Sequence, residues 1–361
     1  MAESVMKPPR KTLGPVAWMR MHLFSSWYNT LLTLIVGYLL VTSVGPVLNW
    51  LFLEADFKGS EPSDCTGAGA CWLFINQRLN FFIYGFYPDS LQWRIDVMFA
   101  LLALSFVPQF IENLPGRKWL GIFGMTGLPV VGYFLIPGGS FGLEAVDSAK
   151  WGGLMLTLII AYIGIIASLP IGILLALGRR SDMPIIRGLC VVFIEVWRAV
   201  PLITVLFMAS VMLPLFLPEG MNFEKLMRAL IGITLWQSAY MAEVIRGGLQ
   251  AIPRGQYEAA DALGLGYWKK TGLIILPQAL KMVIPGIVNT FIALFKDTTL
   301  VLIIGLFDIL GAVQSTITDP AWQNVAIEGY VFVAFSFWVF CFGISRYSQK
   351  LERKLDTGHK S

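Results

Sequence analysis

Apolar runs broken by short polar stretches set the pattern of this chain. The runs at residues 30–52, 95–111, 119–136, 151–177, 185–217, 226–245, 271–294 and 330–344 approach or exceed the ~20 residues that a helix needs to cross hydrocarbon. None shows the alternating ~10-residue pattern of a barrel strand. The pattern therefore predicts an all-α integral membrane protein with about eight transmembrane helices. The fifth run is overlong and contains Glu195, Arg198, Pro201 and Pro214, so its first turns are expected outside the apolar slab. A further patch at 300–313 is too short to cross and holds Asp308, which predicts an interfacial or re-entrant helix.

The polar interruption at 252–280, IPRGQYEAADALGLGYWKKTGLIILPQAL, carries its own helical signal. Pro253 and Gly255 punctuate a turn, and Tyr257, Ala260 and Leu263 then recur at helical spacing. Gly264 and Gly266 stop the helix, Lys269 and Lys270 mark a membrane border, and Pro277 falls inside the next apolar run.

Composition agrees with the pattern: 56% of the 361 residues are hydrophobic, 14% are charged and mean hydropathy is +0.67, against about 25% charged in soluble domains. Charge then orients the chain, because Lys and Arg collect in short cytoplasmic loops. With the N-terminus inside, eighteen of the 27 basic residues fall on the cytoplasmic side and six outside. The inside set runs from Lys7, Arg10, Lys11 and Arg20 through Arg179, Arg180 and Arg187 to Arg346, Lys350, Arg353, Lys354 and Lys360. This bias predicts cytoplasmic termini and places 252–280 in the cytoplasm. The basic N-terminus leads into no short apolar core with a cleavage site, so no signal peptide is expected.

By composition the chain divides into a cytoplasmic segment (1–28), an accessory region (29–137) with three spans and a polar outside loop (53–94), and a five-helix core (138–361) with a cytoplasmic loop at 247–270. Cys65 and Cys71 share the outside loop. There they could form a disulfide or stay as two thiols. Histidine occurs only at His22 and His359, which argues against a His-ligated metal or a His-based triad. The chain contains no G-x-x-x-x-G-K-[ST] loop, and its G-L-G lies in no βαβ pattern. Any ATP-driven work needs another subunit.

Glu258, Ala259, Ala260, then Gly264, then Leu276 and Pro277 resemble the E-A-A, G and L-P signature of permease subunits of binding-protein-dependent ABC importers. GGLMLTLIIAYIGIIASLPIGILLALGR at 152–179, FIEVWRAVPLITVLF at 193–207, and LFKDTTLV at 294–301 are similar to the polar amino-acid branch of that family. Ala199 and Val200 depart from its R-G-T-P element. The three additional N-terminal spans resemble, by architecture, the general L-amino-acid importers. The resemblance implies a type I (MetI-like) permease core, a bacterial inner-membrane location, and amino-acid import by alternating access. It also implies as partners a dimeric ATPase subunit that uses ATP and Mg, a second and paralogous permease, and a periplasmic amino-acid-binding protein. No cofactor on this chain, no metal and no nucleic acid is expected.

The resemblance makes Gln256, Tyr257, Glu258, Ala259, Ala260, Asp261, Leu263 and Gly264 the ATPase-coupling surface. Tyr257 and Leu263 would offer apolar contact there, Glu258 and Asp261 charge. For the substrate path the polar residues within or at the ends of spans come into question. Glu195 and Arg198 are either a polar gate or a structural ion pair, and Glu243 with Arg246 is expected as a structural pair. Gln237 and Tyr240, near Trp236 and Ser238, either line a cavity or pack. Lys296, Asp297 and Thr298 either meet an amino-acid zwitterion or cap a helix. A stand-alone ion-coupled transporter or a membrane-embedded enzyme is the competing class. The first would show inverted repeats with broken helices, and the second a cluster of catalytic residues at one depth; neither is evident.

Overall fold

The computed structural model describes residues 14–111, 114–216, 218, 223–322 and 324–355. Lys7, Arg10, Lys11, His359 and Lys360, and Leu217 at the end of the fifth apolar run, lie outside them. The described residues form helices and no strand; pairing is limited to three isolated bridges. Two compact units divide between residues 74 and 75.

The first unit holds α1 (Pro15–His22) and α2 (Trp27–Leu48), which runs on as a π-helical turn, Asn49–Leu53. Ser26 caps α2, its hydroxyl accepting from the Asn29 N–H. No residue of α2 is buried, as suits a mostly apolar helix bounded by hydrocarbon. In the polar loop that follows, Cys65 and Cys71 are joined as a disulfide, their Cα atoms 5.7 Å apart. The backbone N–H groups of Glu61 and Ser60 hold the Asp64 carboxyl below the usual carboxylate range.

The division falls within α3 (Trp72–Tyr84). The second unit continues with α4 (Trp93–Phe106), α5 (Arg117–Ile122), α6 (Leu128–Leu135), α7 (Gly153–Arg179), α8 (Pro184–Ala199), α9 (Leu202–Phe207), α10 (Leu213–Phe216) and α11 (Lys225–Ala251). After these come α12 (Arg254–Ala262), α13 (Tyr267–Lys270), α14 (Leu276–Asp297), α15 (Ile309–Ile317) and α16 (Ala326–Leu355). Residues 75–137 join the second unit because Tyr87, Ile95 and Ile136 share a buried cluster with Val146 and Met155.

Among the described residues, six helices are long and apolar enough to cross a membrane, or seven if α8 and the stretch Leu202–Phe216 make one broken span. The count falls short of the expected eight at α11. That helix has the length, 27 residues, but Arg228, Gln237, Ser238, Glu243 and Arg246 lower its hydropathy. Its neighbours explain the composition. α11 packs along α7 and α14, burying fourteen residues, Gln237 and Ser238 among them, and a helix enclosed by protein need not be apolar all round. Gly172 of α7 permits the closest approach: a Cβ there would lie 2.7 Å from Met241 Cγ and 3.2 Å from the Ala242 nitrogen. Small residues at such seams let helix backbones come together.

The fifth apolar run differs from the expected single span. Pro201 lacks the N–H that would continue α8, and the chain turns by 101° between α8 and Leu202–Phe216. The indole of Trp236 on α11 donates to the Val200 carbonyl at that bend, 2.9 Å. The patch at 300–313 is likewise two pieces and not one helix. A 3-10 segment, Thr298–Ile304, prolongs α14 and ends at Gly305 in the left-handed region (φ 71°). α15 then starts afresh, with the Asp308 carboxylate accepting from the Gly311 N–H at 2.9 Å.

Candidate functional site

α12 is the short helix that the polar interruption predicts. Pro253 opens it, and the chain leaves it through Gly264 with φ 71°. Backbone N–H groups of Gly264 and Leu265 return to the Asp261 and Ala260 carbonyls at 2.9 and 3.2 Å, closing the helix end as a left-handed glycine cap does. A Cβ at Gly264 would meet nothing within 4 Å, so backbone conformation, and not crowding, requires glycine here.

One face of α12 is clamped to the bundle. Arg180, just past α7, donates from Nη1 to the Leu249 carbonyl of α11 at 2.6 Å and to the Tyr257 hydroxyl at 3.1 Å, and its guanidinium lies 5.7 Å from the centre of the Tyr257 ring. The Tyr257 hydroxyl in turn donates to the same carbonyl at 3.3 Å. Ala260 is buried, and the Gln256 side-chain carbonyl accepts from Gln278 on α14 at 3.1 Å. The outward face carries Glu258, Ala259 and Leu263, all exposed, Leu263 to 75%.

This arrangement divides the predicted coupling set. Tyr257 and Ala260 attach the helix to its own chain instead of offering apolar contact outward, and Asp261 is engaged by Lys270 Nζ at 2.6 Å. Trp268, 73% exposed in α13, is a further exposed apolar group, close in sequence, that the E-A-A spacing does not reveal. Its only sequence signal is an aromatic next to two lysines.

A second cluster gathers at the neighbouring helix ends. Glu195 and Arg198 sit three residues apart on α8 yet bind different partners: Glu195 pairs with Arg179 of α7 at 2.9 Å, and Arg198 reaches Glu243 of α11 at 3.6 Å. Glu243 also takes Arg179 at 2.9 Å and Arg246 through two nitrogens at 2.9 to 3.1 Å. It is therefore the hub that ties α7, α8 and α11, with its side chain only 17% exposed. Tyr240, one turn along α11, lies under the Arg198 guanidinium at 5.8 Å and against the Trp236 ring at 4.3 Å.

The other path residues stand apart from this hub. Gln237 is buried and donates to the Thr290 carbonyl of α14 at 3.0 Å, while Gly248 faces Ala279. α11 and α14 thus run antiparallel in a register that sets Lys296 level with about residue 231. At 1.5 Å per residue that is roughly 18 Å along α11 from Glu243. Lys296 is exposed, and Thr298 is buried with its hydroxyl donating to the Phe295 carbonyl at 2.8 Å. The predicted path residues form no single site.

Residues 168–357 match the family described as the binding-protein-dependent transport system inner membrane component. The inner membrane amino-acid ABC transporter permease protein YhdY of Escherichia coli K12 is 57% identical over 97% of both chains. The glutamate/glutamine/aspartate/asparagine transport system permease protein BztC of Rhodobacter capsulatus is 42% identical over 98% of this chain and 96% of its own length. Among solved structures, a chain from the crystal structure of an amino acid ABC transporter with histidines aligns with a TM-score of 0.50 at 29% identity, covering 56% of this chain and 92% of its own.

Proposed function

Because this chain belongs to the family of binding-protein-dependent transport system inner membrane components, we propose that it is the membrane-spanning subunit of an ATP-driven importer of L-amino acids. A periplasmic binding protein hands the amino acid over, a second and paralogous permease completes the passage, and a separate dimeric ATPase supplies ATP and Mg chemistry. The protein resides in a bacterial inner membrane with both termini cytoplasmic. Residues 138–361 translocate, and residues 29–137 are accessory.

The observation that carries this reading is α12. A nine-residue helix is clamped to α7 and α11 by the Arg180–Tyr257 contact, while Glu258, Ala259 and Leu263 face away from the bundle. Such a helix fits the role of a docking element whose displacement is felt by the spans. Differential contact with two states of a partner is sufficient for coupling. The Glu243 hub lies a few turns from α12 and joins three helices through charge pairs that a small helix shift can make or break. It suits a cytoplasmic gate that opens and closes in step with the partner.

The test is recovery of an ATPase with the tagged protein from its native membrane, together with amino-acid uptake in vesicles. Glu258→Lys and Gly264→Pro should each lower ATPase recovery and uptake at least tenfold while the amount of membrane-inserted protein stays the same. Normal uptake by both variants, or uptake driven by an ion gradient with no ATPase present, would overturn the proposal.

A further inference from the structure

α8 meets the last turn of α7 and departs from the direction of the bundle. Cys190 faces Gly178, Glu195 pairs with Arg179 at 2.9 Å, and Ile194 is buried in the cluster that holds Ala176. Beyond Pro201 the chain follows α11 closely. The Val200 carbonyl accepts from Trp236, Val205 and Ala209 lie against Gly232, and the Ser210 carbonyl accepts from Arg228. Numbers rise along one partner as they fall along the other, so Leu202–Phe216 runs antiparallel to α11. α8 is turned from that stretch by 101° and therefore lies nearly at right angles to α11. Because α11 packs along α7, which is long and apolar enough to cross a membrane, α8 lies close to the membrane plane. Its level is that of the last turn of α7, where an apolar span gives way to Arg179 and Arg180, the cations of a membrane border.

Around α8 the surfaces separate. At 3.6 residues per turn, Ile185, Leu189, Val192 and Val196 fall within about 60° of one another, and all four are exposed. Phe193, Ile194 and Trp197 pack against the bundle on a second side. Arg187, also exposed, falls opposite the apolar stripe. An apolar stripe with a cation across the helix from it is the pattern of a helix lying in a membrane interface. A second exposed stripe follows the bend at Ile203, Phe207, Val211 and Leu215, four residues apart each time, along the stretch that stands upright beside α11. Hydrocarbon that covers this upright stripe continues onto the first.

We propose that α8 is an interfacial helix that lies in the plane of the bilayer, its partner being the lipid surface. Ile185, Leu189, Val192 and Val196 sit among the outermost acyl carbons of one leaflet, and Arg187 stays in water. The bilayer thereby holds the helix that brings Glu195 to Arg179 and Arg198 to Glu243. This placement rests on a chain that spans a membrane; neither the substrate nor the ATPase proposed above enters it.

The test is site-directed spin labelling of the full-length protein, with the subunits that accompany it, in vesicles of phosphatidylglycerol and phosphatidylcholine. Ile185→Cys, Arg187→Cys, Leu189→Cys, Val192→Cys and Val196→Cys are each made in a Cys190→Ser, Cys341→Ser background. The ratio of collisions with oxygen, which concentrates in hydrocarbon, to collisions with a water-soluble nickel chelate should be about threefold or more higher at the four stripe sites than at Arg187→Cys. Label depths at Ile185→Cys and Val196→Cys should agree within ~5 Å, whereas on an upright helix they would differ by ~16 Å. Phe207→Cys and Leu215→Cys, beyond the bend, should differ by ~12 Å. A graded depth along α8 overturns the proposal by making it a spanning helix, and equal depths beyond the bend remove the right angle on which it rests. Dominant nickel collisions at the stripe overturn it by making that face line a watery cavity. Weak collisions with both reagents overturn it by putting a second subunit there in place of lipid.

Discussion

Glu243 is one carboxylate facing three guanidiniums, from Arg179, Arg198 and Arg246. Removing it leaves like charges together in a mostly enclosed space, whereas Glu195 meets a single arginine and is 54% exposed. Glu243→Ala should therefore cost ~1–3 kcal/mol, between the values for exposed and fully buried pairs, and Glu195→Ala ~0–1 kcal/mol. Thermal unfolding in detergent reads both, and equal losses would remove Glu243 from the centre of the cluster. The residue types of the cluster were legible in the sequence, since charged groups inside apolar runs are conspicuous. Its wiring was not. Spacing on one helix suggests i,i+3 partners, and that holds for Glu243 with Arg246 but fails for Glu195 with Arg198, because α8 packs against α7 and α11 and meets the charges they carry. Only the packed bundle decides between a partner on the same helix and one on the next.

Among the elements, α7 and α11 make the seam on which the second unit is built. Gly172 faces Met241 and the Ala242 backbone, and backbone cannot step aside as a flexible side chain can. Gly172→Val should destabilise by ~1–3 kcal/mol, the usual cost of overpacking. Gly188 on α8, with nothing within 4 Å of a built Cβ, should accept alanine with no loss and a gain of up to ~1 kcal/mol in helix propensity. Melting temperatures of the two variants should move in opposite directions; a Gly172→Val protein as stable as the parent would mean the seam is looser than described. Hydrophobic patterning located nearly every long helix, because lipid-facing surface must be apolar over ~20 residues. Patterning was weakest where helices face protein. α11 reads as less apolar than a span should be, and 300–313 reads as one patch although Gly305 and the Asp308 cap divide it.

For the whole chain, the distribution of basic residues makes a prediction that no single contact could. Eighteen cations on one side against six on the other are the asymmetry on which the proposed cytoplasmic placement of the termini rests. A fluorescent protein that matures only in the cytoplasm should glow when fused after Ser361, and a periplasm-dependent phosphatase fused there should stay inactive. The reverse pattern would invert the orientation and move α12 away from any ATPase. The proposed orientation would put Cys65 and Cys71 in the oxidising compartment, in keeping with their disulfide. Family membership could be expected from a handful of motif residues because α12 and its flanks are constrained in sequence by geometry. The accessory region carries no such motif, and only its apolar lengths could be read. The Arg180–Tyr257 contact has one more consequence, a mechanical one. It fastens α12 near its middle to the ends of two closely packed helices, so in the proposed docking role α12 would act as a rigid crank about 13 Å long with its fulcrum at Tyr257. A push on the Leu263 end would then become torque on α7 and α11 together, with little slack in between for a loop to absorb it.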